Sequence, residues 1–486
     1  MVEAFIKGKD ELEALAHQLS QIAASQPKTV VRYKQTIYDS MFTERGRHNV
    51  NRCGLTSTYN LEDMQNQVYS SVRGEELFAG HLPEFEHWRA REEIPFLFQP
   101  KGIELPAERY ARWVEPPGNI EKWDQELIAF TSQFKGVRIT REFGVEQQVI
   151  VNSNGGLVME SRPFFCIYYR QGYEPCMVTR TLGAYVVSDA DIDRFAQLIA
   201  YLPDPTPEGR IRASKTFSEA FAHLYEISHQ VEFADLQSAG LRDHLTHPVI
   251  MLSGVPVHEI FGHQFEEPIQ PLHPGEESLF PIGRNVENHA IRLCDNPHQT
   301  IEGFEVLGSY PYDCYGRPSR PWTHIAGARV QEHIGGEYID RRNIEKYLGV
   351  RESPLVGGSR QGDDGLFPQP RMSCTVLEGE EDHAIDWEGK VLMVPYKGYV
   401  LDGNFFKVMA SECYRLQKGQ PRRIVPLESS RAIYDAMIGM HILPGKSYHV
   451  GACLKPAMLE EGQESEVGVS FYSNHQMWDH LTLRSL

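Results

Sequence analysis

The sequence predicts an α+β protein, with a mixed α/β region over residues 1–245 followed by a sheet-rich domain over residues 246–486. Three observations carry this expectation. The first 26 residues hold a helical apolar period, and the stretch from Gly136 to Gly172 alternates like paired strands. The second half consists of short apolar runs cut by Gly, Pro and Asn.

In "MVEAFIKGKDELEALAHQLSQIA" apolar residues return every three or four positions between charges, which predicts an amphipathic helix over residues 1 to about 26. "PKTVVRYKQTIYDSMFTERG" is rich in β-branched and aromatic residues and reads as strands with a turn, while "LEDMQNQVYSSVRGEELFAG" reads as a second helix. In "GVRITREFGVEQQVIVNSNGGLVMESRPFFCIYYRQG" two alternating runs flank Asn154-Gly155-Gly156, a strong hairpin signal because such turns need residues that accept positive φ. "YLPDPTPEG" at 201–209 is a proline-rich break, after which "FSEAFAHLYEISHQVEFADLQSAG" returns to a helical period that ends near a glycine. "HPVIMLSG" then begins a buried-strand pattern and marks the boundary near 245. "KVLMVPYKGYVLDGNFFKVMASECYRLQKGQ" and "SEVGVSFYS" give the second domain its sheet character.

A chain of 486 residues buries a large core. Its 48 Lys and Arg stand against 66 Asp and Glu, a formal charge of -18, with no long basic block, so direct nucleic-acid binding is not expected. No stretch reaches the roughly 20 apolar residues of a membrane span, and the N-terminal stretch lacks the apolar core of a secretory signal. The expectation is a cytoplasmic protein. Eight cysteines show no C-x-x-C pair and no regular spacing, so most read as buried thiols.

The stretch "VHEIFGHQFEE" comes after the strand pattern "VIML" and the turn "SGVP". It differs by one residue from the H-E-x-x-H metal helix, whose histidines lie four apart and so about 40° from each other around the axis. His258 and His263 are five apart, which on a regular helix separates them by about 140°. Gly262, just before the second histidine, lets the helix widen into a π-type turn or end there, and either distortion brings the imidazoles together. Glu259 then has a task as the base beside a catalytic metal. Two histidines do not complete a zinc site, and Glu266, Glu267, His273, His289 and the cysteines are all candidates for the third ligand. The plain alternative is a chance pairing in a chain with 20 histidines.

"HEIFGHQFE" resembles the H-E-x-x-x-H-x-x-E signature of the TldD/PmbA family of metalloproteases, also called modulator of DNA gyrase. "VIVNSNGGLVMESRPFF", "GGSRQGDDGLFPQPRMSCTVLEGE" and "KGYVLDGNFFKVMASECYRLQKGQ" are similar to further family segments, so that the resemblance runs from about Val149 to Gly468. It implies a zinc site made by His258, His263 and a distant cysteine. "GACLKPAMLEEGQ" matches the family's cysteine segment, which identifies Cys453; Leu454 stands where the pattern has glycine, and the spacer to Gly462-Gln463 is longer. Glu266 matches the later acidic position as support for a histidine, whereas Glu267-Pro268 departs from the pattern. The implied activity is zinc-dependent hydrolysis of extended or unfolded peptides, with Glu259 as catalytic base, in a homodimer or a heterodimer with a sister subunit. Arg360 and Arg371 are candidates for holding a substrate carboxylate, against the blander reading of structural ion pairs. The alternative function is a non-catalytic partner subunit or peptide-binding scaffold.

Overall fold

The N-terminal amphipathic helix spans Lys9–Ala24 and buries Leu12, Leu15, Ala16, Leu19 and Ala23, the stripe that its sequence period foretells. This computed structural model describes residues 6–64, 68–73, 97–98, 104–173, 175–206, 208–229, 233–266, 279–335, 339–340, 357–362, 365–401, 404–456 and 463–486. The helix stripe packs on Val31, Tyr33, Tyr59, Leu61, Val149 and Val151 of a sheet with seven described strands. In that sheet Val68–Arg73, Arg47–Asp63, Thr29–Glu44, Val137–Asn152 and Leu157–Gln171 lie side by side in that order and antiparallel. Arg109–Trp113 and Val178–Tyr185 both pair with Leu157–Gln171.

The predicted hairpin closes at Asn154-Gly155-Gly156. Gly155 has φ +85, and the Asn152 side-chain oxygen accepts from the backbone N–H groups of Asn154 and Gly156, which fixes the turn. The expectation of a helix over "LEDMQNQVYSSVRGEELFAG" is corrected: Leu61 to Asp63 complete one strand, and Val68–Arg73 pairs back on it, Asp63 with Val68 and Thr58 with Arg73. Pairing along the neighbouring strand overrides a helical pattern this short. Residues 65–67 and 74–80 of that stretch lie outside the described residues. The helix expected after residue 217 also proves shorter. It spans Phe217–Ser228, with the Thr216 side chain capping the Glu219 N–H, and stops well before Gly240.

The second sheet starts at Thr246 and has thirteen described strands. Its longest strand, Glu464–Ser485, pairs with Thr246–Met251, Cys374–Gly379, Leu427–Ala432 and Met440–Pro456. Val249, Ile250 and Met251 are buried and run parallel to Val391, Leu392 and Met393, as parallel strands covered on both faces require. A single apolar cluster runs from Phe165 and Leu182 of the first sheet through Phe217 and Phe221 to Ile250 and Tyr448 of the second. Arg180 and Glu412, both buried, join the two sheets by paired hydrogen bonds of 2.5 and 2.8 Å. The architecture is α+β, and two of its elements carry the histidine pair and Cys453: the helix after Met251, and the ribbon of Met440–Pro456 with Glu464–Ser485.

Candidate metal centre

The helix begins where the strand Thr246–Met251 leaves the sheet. A Cβ on Gly254 would lie 2.9 Å from both the Phe471 Cβ and the Ser473 hydroxyl, so only glycine lets the chain turn this tightly against the longest strand. From Val257 to Gly262 the helix is π-helical, and the His263 N–H donates to the His258 carbonyl, an i to i−5 bond. The extra residue between the histidines is thus taken up by the backbone. Their ring centroids lie 5.1 Å apart, and the helix continues in α form over His263–Glu266. Gly262 serves a steric purpose as well: a Cβ there would sit 2.4 Å from the Met372 sulfur.

Cys453 arrives from the ribbon, 190 positions away in sequence, with its Sγ 3.5 Å from His263 Nε2. One donor atom from each of His258, His263 and Cys453 lies within 4.8 Å of the others, and this is the one such group among the described residues. Of the other third-ligand candidates, Glu267 and His273 lie outside the described residues, and His289 is apart from the cluster.

The surroundings orient each donor. His258 is fully buried, and its Nδ1 lies 2.7 Å from the Thr375 hydroxyl. That hydroxyl directs its own hydrogen at Met372 Sδ, 3.6 Å away, which leaves its lone pairs to accept an Nδ1–H. His258 Nε2 then carries the free lone pair, and this buried atom has no hydrogen-bond partner among the described residues. His263 turns Nε2 toward Cys453 and holds Nδ1 3.2 Å from Glu266. Glu266, fully buried, also accepts from the Met372 backbone N–H and lies 3.2 Å from the Lys455 ammonium. A histidine whose outer nitrogen faces a hydroxyl or a carboxylate is the usual arrangement around a bound metal.

Burial opposes every charge in this cluster, yet the charges sustain one another. Burial alone would raise the Cys453 thiol, but His263, Arg371 and His258 together hold it well below the ordinary thiol range. Burial would lower His263, and Cys453, Glu259 and Glu266 keep it well above the usual imidazole range. Against the same penalty, Lys455, His263 and Arg371 pull Glu266 well below the carboxylate range. Burial likewise works against the Glu259 carboxylate, which His263 and His258 nonetheless hold in ionised form. A thiolate, an imidazole nitrogen with a free lone pair and a second imidazole converging on one point form a donor set that fits a borderline-soft divalent cation.

Glu259 is less enclosed than the histidines. Its side chain is 25% exposed against 12% for His263, and its carboxylate lies 3.7 Å from His263 Nε2. The hairpin strand Lys397–Leu401 passes over it, and a Cβ on Gly398 would lie 2.8 Å from the Glu259 Cβ.

The two arginines occupy different settings. Arg371 is buried and donates to the carbonyls of Cys453 and Ser465, so it fastens the two strands of the ribbon at the cysteine. Arg360 is partly exposed and donates to the carbonyls of Met372 at 2.5 Å and Gly468 at 2.8 Å. Neither guanidinium makes an ion pair with an acidic side chain among the described residues. Sequence reasoning assigned no part to Thr375, Met372 or Lys455. A signal for Lys455 was present, because a residue two places beyond Cys453 in a strand faces the same side.

No protein-family model matches the chain, and no curated protein matches it. Solved structures do resemble it over nearly its whole length. A candidate modulator of a DNA gyrase from Thermotoga maritima superposes with a TM-score of 0.56 at 13% identity, covering 98% of this chain and 100% of that one. TldE from Thermococcus kodakarensis gives 0.54 at 10% identity, covering 98% and 100%. A candidate modulator of DNA gyrase from Bacteroides thetaiotaomicron gives 0.55 at 10%, covering 98% and 99%. The chain therefore has the fold of the modulator-of-gyrase and TldE proteins. Among the described residues no helix is long and apolar enough to cross a membrane.

Proposed function

We propose that this chain is a metallopeptidase of the TldD/PmbA family that hydrolyses extended or unfolded polypeptides, with one zinc ion held by His258, His263 and Cys453 and with Glu259 as the catalytic base. The observation that carries this reading is the contrast between three enclosed ligands and a carboxylate 3.7 Å from one of them with a quarter of its side chain exposed. A purely structural zinc site closes all four positions and has no use for such a group. Bound zinc would polarise a peptide carbonyl and lower the pKa of water toward about 7. Glu259, kept ionised, accepts the proton that water gives up and delivers it to the departing amine. Thr375 holds His258 in the tautomer that presents Nε2, and Glu266, 3.2 Å from His263 Nδ1, orients the second ring so that its Nε2 faces Cys453. Arg371 fastens the two ribbon strands at the cysteine, and Lys455 ties the cysteine strand to the helix through Glu266.

The same reading carries the remaining proposals: a homodimer or a heterodimer with a sister subunit, in the cytoplasm, acting on peptide and not on nucleic acid. The net charge of -18 supports the last of these. The non-catalytic partner or scaffold is the second reading, and the presence of Glu259 speaks against it. The test is hydrolysis of a reduced and alkylated polypeptide by zinc-loaded protein and by Glu259→Gln. Cleavage by the first, reduced by about 10²- to 10⁴-fold in the second at equal zinc content, is the expected result. Equal behaviour of the two refutes the mechanism.

A further inference from the structure

The ribbon that carries Cys453 has two faces. Cys453, Lys455, Ser465 and Val467 point inward and are buried, whereas Ala452, Leu454, Glu464, Glu466 and Gly468 point outward and are exposed. The outward face forms one wall of a groove of about 810 Å³, and the opposite wall is the face of the first sheet turned away from the N-terminal helix. Six carboxylates line this groove against four basic groups. All four bases are engaged locally: Arg32 with Glu62 and the Cys314 carbonyl, Lys34 with the Gln361 carbonyl, Arg162 with the Ser309 carbonyl and, at 3.4 Å, with Glu146, and Arg360 with two carbonyls. The balance of the groove is acidic.

A second observation points to a ligand. Glu160 is 1% exposed; its Oε2 accepts from Gln148 at 2.5 Å and lies 3.9 Å from Arg162 Nε, but its Oε1 has no hydrogen-bond partner among the described residues. The Ser309 and Tyr310 hydroxyls at the same groove are also buried without hydrogen-bond partners among those residues. A buried carboxylate oxygen without a donor is costly, and a cationic N–H donor is the group that relieves it. Further along the same strand, Phe164 and Tyr168 offer aromatic surface to the groove, and Tyr168 donates to Glu142 at 3.0 Å. Carboxylates set among aromatic rings suit an organic cation with an apolar stem. A bare metal ion is the poorer occupant, because the one metal-capable group among the described residues is the cluster around Cys453.

We propose that this groove binds a basic peptide segment, with a Lys or Arg side chain or a terminal ammonium reaching Glu160 and the exposed ribbon carboxylates guiding its approach. The proposal deepens the peptidase reading and rests on it for its meaning: the groove would give the enzyme a preference for basic substrates, gripped on the reverse face of the strand that supplies Cys453.

The test is fluorescence anisotropy of a labelled decapeptide with two lysines, and of the same peptide with two glutamates, on Glu259→Gln protein without added metal. The lysine peptide is expected to bind at least about tenfold more tightly, with an affinity that falls as salt rises. Glu160→Gln is expected to weaken it about tenfold. Glu464→Gln, at an exposed position that leaves the fold intact, should weaken it about two- to fivefold, and Glu126→Gln, exposed on the helix Glu121–Gln133 that does not line the groove, should not weaken it. Equal binding of the two peptides, wild-type binding by both groove variants, or an equal loss in Glu126→Gln would overturn the proposal. Binding of the lysine peptide by a zinc-loaded wild type that cleaves nothing would leave the groove standing and overturn the peptidase reading. Cleavage without preference between the two peptides would do the reverse.

Discussion

Replacing Thr375 by valine tests the arrangement of the metal centre most sharply. The substitution exchanges a hydroxyl for a methyl of nearly the same shape in the buried strand Cys374–Gly379, where a β-branched residue remains favourable. It deletes the 2.7 Å bond to His258 Nδ1 and leaves that nitrogen buried without a partner. An unsatisfied buried N–H costs about 1–3 kcal/mol, and the ring can escape the cost by placing its proton on Nε2, the nitrogen needed for the metal. Either course weakens binding, by about 10- to 100-fold. Zinc affinity measured by competition with a chromophoric chelator reads this directly, beside a thermal melt to establish that the variant is folded. Thr375→Ser, which restores the hydroxyl, should recover most of the affinity. A folded Thr375→Val protein with wild-type zinc affinity would refute both the tautomer assignment and the role of His258 Nε2 as a ligand atom.

The same geometry has other consequences. Elemental analysis should find one zinc per wild-type chain and a large loss in Cys453→Ser, while full zinc in both would move the third ligand elsewhere. Gly262→Ala should cost about 1–3 kcal/mol in denaturant unfolding, because the new methyl would stand 2.4 Å from the Met372 sulfur; a neutral outcome would show that Met372 swings aside freely. Asp295, buried and bonded to both the N–H and the hydroxyl of Ser373, is pushed up by burial to about 7. The folded chain therefore retains a proton that the unfolded chain loses near pH 4, so this group's contribution to stability declines as pH rises from about 4 to about 7. Urea midpoints across that range should show a shallower decline in Asp295→Asn than in wild type, and parallel slopes would contradict the assignment.

How much was legible in the sequence depended on the distance over which each feature is decided. His258, Glu259 and His263 lie within one short helix, so their chemistry and their odd spacing could be read together, and that spacing already implied a backbone other than a regular α-helix. Leu12 to Ala23 and Asn154 to Gly156 were legible for the same reason: a helix stripe and a hairpin turn depend on residues a few places apart. The stretch after Leu61 was misread because its pattern is weak and its fate rests on pairing with the preceding strand. Cys453 could be reached only through family resemblance, since nothing local ties a residue to a partner 190 positions away.

The sequence by itself determined the reactive groups and the local devices that present them: two histidines and a glutamate after a buried strand, a glycine where the helix must pass a methionine, a cysteine in an alternating strand. Tertiary structure decided which of those groups meet. Sheet register sets Cys453 opposite Val467 and so turns its sulfur toward the helix, while the neighbouring Leu454 faces the groove. The packing of Cys374–Gly379 brings Thr375 to His258, and the approach of Lys455 to Glu266 keeps a buried carboxylate charged. Electrostatic energy and hydrogen bonding depend on distances of a few ångströms between segments far apart in the chain. Those distances exist only once the sheets have paired.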